Sequence, residues 1–315
     1  MDIEKEIAKL DWSREPQGLY APIGYALASG GKRLRPMLAM TACRMFGGKE
    51  EEVLPAALAI EVFHNFTLLH DDVMDKADVR RGRPTVHVRW NDNTAILSGD
   101  QMLIEAYKLL SGVPADKLPE VLRLFNKMAT EICEGQQYDV DFEHKTDTTI
   151  ADYLMMIRLK TSVLLATALQ IGAYMAGADK VAQEAVYQYG INVGLAFQIQ
   201  DDLLDVYGDP ATFGKAIGGD IACNKKTYVL LTALQTADEV TRMELEHWLQ
   251  AVQAPKEDKI RAVTALYDRI GVRPVCERVV EEYTNKALEY LQPLPQNEAT
   301  EVLRALAEKL ISRKS

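Results

Sequence analysis

Two short stretches concentrate carboxylates inside apolar sequence. Asp71-Asp72-Val73-Met74-Asp75 follows Leu68-Leu69-His70, and Asp201-Asp202-Leu203-Leu204-Asp205 follows Phe197-Gln198-Ile199-Gln200. On a helix, positions i and i+4 share a face, so Asp71 pairs with Asp75 and Asp201 with Asp205. Like charges stacked on an apolar helix repel and lose hydration. Divalent cations between them reverse that balance, and oxygen-only ligands suit Mg²⁺, which completes its shell with water and phosphate oxygens. A single such motif reads equally well as a solvated helix face. Two copies 130 residues apart, each beside long apolar runs, read as a pair of metal sites with Asp71, Asp72, Asp75, Asp201, Asp202 and Asp205 as candidate ligands. His64, two turns before Asp71, and Gln198, three residues before Asp201, extend each polar stripe through its apolar helix.

Basic residues gather near these carboxylates. Gly30-Gly31-Lys32-Arg33-Leu34-Arg35-Pro36 places three cations in four positions after a glycine pair. Arg80-Arg81-Gly82-Arg83-Pro84-Thr85 follows the first acidic motif, and Lys160-Thr161 opens an uncharged run. Phe213-Gly214-Lys215 and Asn224-Lys225-Lys226 follow the second. Any one of these is an ordinary surface charge when taken singly. Together with metal-binding carboxylates they are what a diphosphate needs, and two diphosphate sites are expected.

The elements that must position these residues are helices. Apolar residues recur at helical spacing, as in Leu118, Val121, Leu122, Phe125 and Met128. Thr149-Ile150-Ala151-Asp152 resembles a capping box with Asp for Glu, and Thr236-Ala237-Asp238-Glu239 reads as a full one. Breaks fall at Gly47-Gly48, Ser111-Gly112-Val113-Pro114, Gly208-Asp209-Pro210, Gly218-Gly219 and Pro293-Leu294-Pro295. Roughly ten to twelve helical segments lie between them. Only Val86–Trp90 alternates like a strand, and it has no partner to pair with. No linker-like stretch interrupts the 315 residues, so one all-α domain over 1–315 is expected.

Composition narrows the class. Lys and Arg number 36 and Asp and Glu 46, a net charge of −10, which disfavours nucleic acid and anionic membranes as partners. Cys43, Cys133, Cys223 and Cys276 are widely spread, which argues against a zinc cage and for reduced thiols in a cytoplasmic protein. The first residues carry no signal-peptide pattern. Thr161–Ala178 runs 18 residues without a charge, but its polar and glycine content reads as a buried core helix, and no membrane span is expected. Arg313-Lys314 reads as a frayed basic tail.

With these motifs in order, the chain resembles the trans-isoprenyl diphosphate synthases, the polyprenyl synthetase family. The resemblance runs from Gly30 to Lys225 through GGKRLRP, LLHDDVMD, RRGRPT, EGQQYD, KT, FQIQDDLLD, GK and NK. It implies an all-α bundle of the isoprenoid synthase type, ten or more helices around a deep central cavity, and a homodimer. By the same resemblance Asp71, Asp75 and Asp201 would coordinate Mg²⁺, three ions in all with bound diphosphate, supported by Asp72, Asp202 and Asp205. Arg80, Lys160, Lys215 and Lys225 would hold the allylic diphosphate, with Lys226 the alternative to Lys225. Lys32, Arg35, His64 and Arg81 would hold isopentenyl diphosphate. Gln136 and Asp139 would line the cavity near the metals. Mg²⁺ and cations stabilise the departing diphosphate. The Lys160 carbonyl, the Thr161 hydroxyl and the Gln198 amide would face the allylic cation, and apolar walls would exclude water.

The resemblance also bears on product length. Phe66 and Thr67 stand five and four residues before Asp71. One aromatic, without a second aromatic or a motif insertion, is most like the C20 geranylgeranyl synthases, with C15 farnesyl synthases the alternative. The floor lies elsewhere if Phe66 is plain core packing, near Met102 or Leu103. A longer-chain synthase and a non-catalytic regulatory subunit are the other readings within the family. A terpene cyclase or a head-to-head synthase would lack GGKRLRP, and a generic helical metal binder would bind Mg²⁺ without diphosphate.

Overall fold

The structure, a computed structural model, describes residues 2–209, 217–251 and 254–312. Its secondary structure is almost wholly helical, as the periodicity predicts. The order is α1 (Ile3–Ala8), α2 (Gln17–Leu27), α3 (Leu34–Met45), α4 (Glu50–Met74), β1 (Val79–Arg80), β2 (Arg83–Pro84), α5 (Val86–Arg89), α6 (Asp92–Leu110), α7 (Leu118–His144) and α8 (Ile150–Ile157). A π-helical turn, Arg158–Ser162, joins α8 to α9 (Val163–Met175). There follow α10 (Lys180–Tyr207), α11 (Gly219–Ala222), α12 (Tyr228–Thr236), α13 (Glu239–Gln250), α14 (Lys256–Ile270), α15 (Val272–Leu291) and α16 (Glu298–Ser312). Among the described residues, the glycine and proline breaks of the sequence fall between helices, except that Gly219 opens α11 with Gly218 as its N-cap.

The chain divides into two compact units. One comprises residues up to 127 with 167–186, and the other 128–166 with residues from 187 onward. In the first, α4 is the central element, packed by α2, α3, α5 and α6. Its first turn carries Glu50, Glu51 and Glu52, which complement the positive end of the helix dipole. Beyond them α4 buries Val53 through Asn65 almost continuously, so its apolar content reflects burial on several sides. Phe63 meets Phe125 at 5.2 Å between ring centroids, and Phe125 meets Tyr107 at 5.5 Å. In the second unit α12 packs against α8, α13, α14 and α15, and α15 against α16. The buried Tyr189 hydroxyl donates to the Leu303 carbonyl at 2.7 Å, which satisfies its one polar atom.

Among the described residues, two stretches are long and apolar enough to cross a membrane by composition, Glu50–Met74 and Ile150–Met175. In their most apolar windows 61% and 67% of the residues are buried within the protein, so core packing accounts for both.

Two local expectations are corrected. Val86–Arg89 is a helical turn, not a strand. The strand pairing lies just before it, Val79 with Pro84 and Arg80 with Arg83. Arg81 and Gly82 turn the hairpin with φ of 53° and 72°, the left-handed pair that a two-residue hairpin loop requires. Second, Thr236 does not open α13. It ends α12, its hydroxyl donating to the Thr232 carbonyl at 2.7 Å, and Asp238 is the N-cap, accepting from the Thr241 amide at 2.8 Å. The Thr149–Asp152 capping box forms as read, with both reciprocal bonds present.

Candidate active site

The first aspartate motif closes α4. Asp71 is half-buried, Asp72 buried and Asp75 exposed as the C-cap residue. Carboxylates at a helix C-terminus add to the negative end of the dipole, so this end of α4 favours a nearby cation. The hairpin behind it returns Arg80, whose Nε donates to Asp72 Oδ1 at 2.7 Å and whose Nη2 lies 3.9 Å from Asp71 Oδ2. Burial pushes the Asp72 carboxyl up, opposed chiefly by Arg80. Thr85 ties the hairpin to the end of α4, its hydroxyl donating to the Ala77 carbonyl at 2.7 Å.

The predicted isopentenyl diphosphate ligands form a second group in the same unit. Arg81 donates to the Gly30 carbonyl, which joins the RRGRPT and GGKRLRP motifs. Arg33, between Lys32 and Arg35, turns the other way. It sits at φ 43°, is buried, and binds Glu61 at 2.8 Å and Glu4 at 2.9 Å. Arg33 is thus a structural residue whose inward turn leaves its neighbours to the site, and Glu61 is the partner the sequence did not reveal. Lys32 is exposed. The Arg35 Nε is buried and, among the described residues, has no hydrogen-bond partner. Burial lowers the Arg35 guanidinium to about 10. His64 is buried, and burial first, then Arg35, Arg81, Arg80 and Arg33, holds it well below the usual imidazole range. A buried guanidinium N–H without a hydrogen-bond partner and an imidazole disfavoured as a cation by the surrounding arginines together mark a locally positive cluster suited to an anion.

The second unit holds Gln136, Asp139, Lys160, Thr161, Gln198, the second aspartate motif and Lys225. The π-helical turn Arg158–Ser162 presents Lys160 and Thr161. It fits because α7 and α10 supply glycines against it. A Cβ on Gly135 would stand 2.3 Å from the Lys160 amide nitrogen, and one on Gly194 would stand 2.6 Å from Ser162 Cα. Lys160 Nζ lies 2.6 Å from Asp139 Oδ2, and Gln136 is half-buried one turn before Asp139 on α7. The Thr161 hydroxyl donates to Gln198 Oε1 at 3.4 Å, and Gln198 Nε2 to Asp202 Oδ1 at 3.3 Å.

Asp202 is the hub of this network. Its other oxygen accepts from the Tyr153 hydroxyl at 2.5 Å and the Tyr228 amide at 3.0 Å. Burial pushes the Asp202 carboxyl up to about 7, opposed chiefly by the Tyr153 bond. Asp205 is also buried and accepts from the Asp220 amide at 3.0 Å. Asp201 alone of this motif is half-exposed. Tyr153, Tyr228 and Asp220 carry no motif of their own. Gly135 does have a sequence signal, a glycine inside a helical pattern.

Of the lysines after the second motif, Lys226 donates to the Phe142 and Glu143 carbonyls and so caps α7. Lys225 is exposed, with its Nζ 4.0 Å from Asp220 Oδ1. Lys215 lies outside the described residues, as do Arg313 and Lys314. Phe66 is half-buried, its ring 5.4 Å from Phe63 and 4.9 Å from His70 in an edge-on contact. Thr67 donates back to the His64 carbonyl at 2.8 Å. Met102 is fully buried and Leu103 half-buried.

Among the described residues, no three His, Cys, Asp or Glu side chains form a ready metal cage. Asp71, Asp75 and Asp201 instead offer hard oxygens at least partly open to solvent. Hard carboxylate oxygens of this kind, considered on each unit by itself, suit Mg²⁺, which completes its shell with water and phosphate oxygens, better than zinc.

A family model described as polyprenyl synthetase matches residues 16–267. The chain is 37% identical to a protein of Natronomonas pharaonis named geranylfarnesyl diphosphate synthase, over 95% of this chain and 91% of the relative. It superposes on a crystal structure of a geranylgeranyl pyrophosphate synthase with TM-score 0.92 and 45% identity, covering 99% of this chain and 96% of that one. A polyprenyl synthase from Caulobacter crescentus CB15, solved with calcium and isoprenyl diphosphate, matches with TM-score 0.87 and 31% identity, covering 99% and 93%. The chain belongs to the polyprenyl synthetase family and is a prenyltransferase.

Proposed function

We propose that this enzyme condenses isopentenyl diphosphate with an allylic diphosphate, using Mg²⁺, and that its product is the C20 geranylgeranyl diphosphate. The observation that carries this reading is the cluster of Arg35, Arg81 and His64, with its unpartnered Arg35 Nε, beside the helix that ends in Asp71 and Asp75. An anion site next to a cation site suits a substrate that is itself an anion and a reaction that needs a metal.

The residues divide the work by chemistry. Asp71, Asp75 and Asp201 are assigned to Mg²⁺, which when bound neutralises the allylic diphosphate. Asp72, Asp202 and Asp205 support from behind. Asp72 holds Arg80, Asp202 holds the Thr161–Gln198 chain, and Asp205 holds the Asp220 turn. Arg80, Lys160 and Lys225 are assigned to the allylic diphosphate, where cations stabilise charge as the C1–O bond breaks. Lys32, Arg35, His64 and Arg81 are assigned to isopentenyl diphosphate. The Thr161 hydroxyl and Gln198 amide face the allylic cation with dipoles. A basic side chain there would be alkylated. The double bond of isopentenyl diphosphate attacks C1 as the C1–O bond breaks, the condensed cation gives up a proton to the released diphosphate, and a longer allylic diphosphate results.

Phe66 is assigned to the floor of the product tail. The whole chain is taken as one functional domain that pairs with a second copy. Leu97 and Ile104, seven residues apart on α6, are 59% and 51% exposed, with Ile96 and Tyr107 beside them. A stripe of that kind suits an interface. Magnesium titrated calorimetrically should give saturable heat only when a diphosphate is present. Equal heat without diphosphate would favour a plain metal binder.

A further inference from the structure

The buried positions of α14 are Lys259, Val263, Leu266 and Tyr267. The first is a lysine only 6% exposed in an otherwise apolar stripe. Packing alone would be met by an apolar side chain without desolvating an amine. Lys259 Nζ donates to Asn224 Oδ1 at 2.6 Å and reaches the Ala222 carbonyl at 3.5 Å, both neutral oxygens.

Asn224 has reason to be held. Its φ of 58° is left-handed, a conformation L-residues adopt at a cost. Its Nδ2 donates to the Leu249 carbonyl at 2.8 Å, so its amide bridges α13 and α14. The other end of the same segment is braced too. A Cβ on Gly218 would meet Ile260 at 2.6 Å, so the residue next to Lys259 abuts the start of the turn. Between these two braces the Gly218 amide donates to the Asp205 carbonyl at 2.6 Å, the Asp220 amide to Asp205 Oδ2, and the Lys225 amide to the Asp220 carbonyl at 2.9 Å. Segment 218–225 is thus hydrogen-bonded to Asp205 of the second aspartate motif, carries Lys225 at its end, and is braced at both ends by α14.

We propose that Lys259 is a positioning residue for the allylic diphosphate. By fixing Asn224 in its left-handed turn it sets the direction in which Lys225 leaves the chain. This rests on the assignment of Lys225 to that diphosphate.

Steady-state kinetics on the full-length enzyme test it with Lys259→Met, Lys225→Ala and the double variant. Lys259→Met should raise KM for the allylic diphosphate roughly tenfold, the size of one lost hydrogen bond to a charged group. KM for isopentenyl diphosphate should not change. In the Lys225→Ala background the same substitution should add nothing, because its effect runs through Lys225. Asn224→Gly keeps the left-handed turn and removes the amide, and should reproduce the allylic shift if Lys259→Met does not fold. Additive losses, an unchanged allylic KM, or a loss shared equally by both substrates would overturn the proposal. An unchanged allylic KM in Lys225→Ala would overturn the assignment of Lys225 first, and the proposal with it.

Discussion

Lys160 and Asp139 form an ion pair at 2.6 Å, joining the π-helical turn to α7. The pair is half-buried, so each charge holds the other in a defined place. With Lys160 assigned to the allylic diphosphate as proposed, that substrate would compete with Asp139 for the ammonium. Lys160→Ala should lower kcat/KM for the allylic substrate by about 100- to 1,000-fold, the range for losing one preorganised electrostatic contact. Asp139→Asn should cost far less and act mainly on KM. A larger loss in Asp139→Asn than in Lys160→Ala would reverse these roles.

Gly135 makes the same junction possible. Gly135→Ala places a methyl where the Lys160 amide stands, so either α7 or the π-helical turn must move. The variant should fold, with a lowered melting temperature, and should lose kcat by about tenfold or more as Lys160 shifts. Wild-type kcat in a folded Gly135→Ala enzyme would show that the close approach does not position Lys160.

His64 gives a pH dependence with a definite sign. Its folded pKa lies below the unfolded value, so the unfolded chain binds more protons in the interval between them. The contribution to stability is full above about pH 6.5 and is lost as pH falls below it. Melting temperature of the free enzyme should drop over that range, and less so in His64→Asn. Inorganic diphosphate should reduce the drop, because an anion beside Arg35 and Arg81 favours the protonated imidazole. Equal slopes in the wild type and His64→Asn would remove His64 from this cluster.

Phe66→Ala should lengthen the product, because it removes a half-buried ring that packs on Phe63 and His70. Chromatography should show C25 or longer alcohols after dephosphorylation. An unchanged distribution would move the floor to Met102 or Leu103.

Much of this was legible from patterning, because burial leaves periodic traces. The apolar spacing foretold the helices, and the glycine and proline breaks foretold their ends. Asp71 and Asp201 stood out because a carboxylate beside an apolar run needs an explanation. Contacts between distant segments leave no such trace. Nothing about Tyr153 in α8 foretells its bond to Asp202, and nothing about Lys259 foretells its grip on Asn224. Arg33 shows the limit most plainly. By type it matches Lys32 and Arg35, yet a left-handed φ turns it inward to Glu61. The hairpin was missed because Arg81-Gly82 reads first as charge and only second as a turn.

The exposed face of α6 should mediate self-association. Ile104→Glu should shift the enzyme to a monomer in sedimentation, since a charge in an apolar interface is left desolvated. An unchanged mass would place any interface elsewhere.

The most direct test of the central claim is turnover itself. The enzyme is incubated with Mg²⁺, labelled isopentenyl diphosphate and the C5, C10 or C15 allylic diphosphate in turn. Labelled geranylgeranyl diphosphate should form, equimolar diphosphate should be released at each addition, and chelation of the metal should stop both. Asp71→Asn and Asp201→Asn should each reduce the rate by about 100-fold or more. No labelled product with any starter, or full activity in both aspartate variants, would contradict the account.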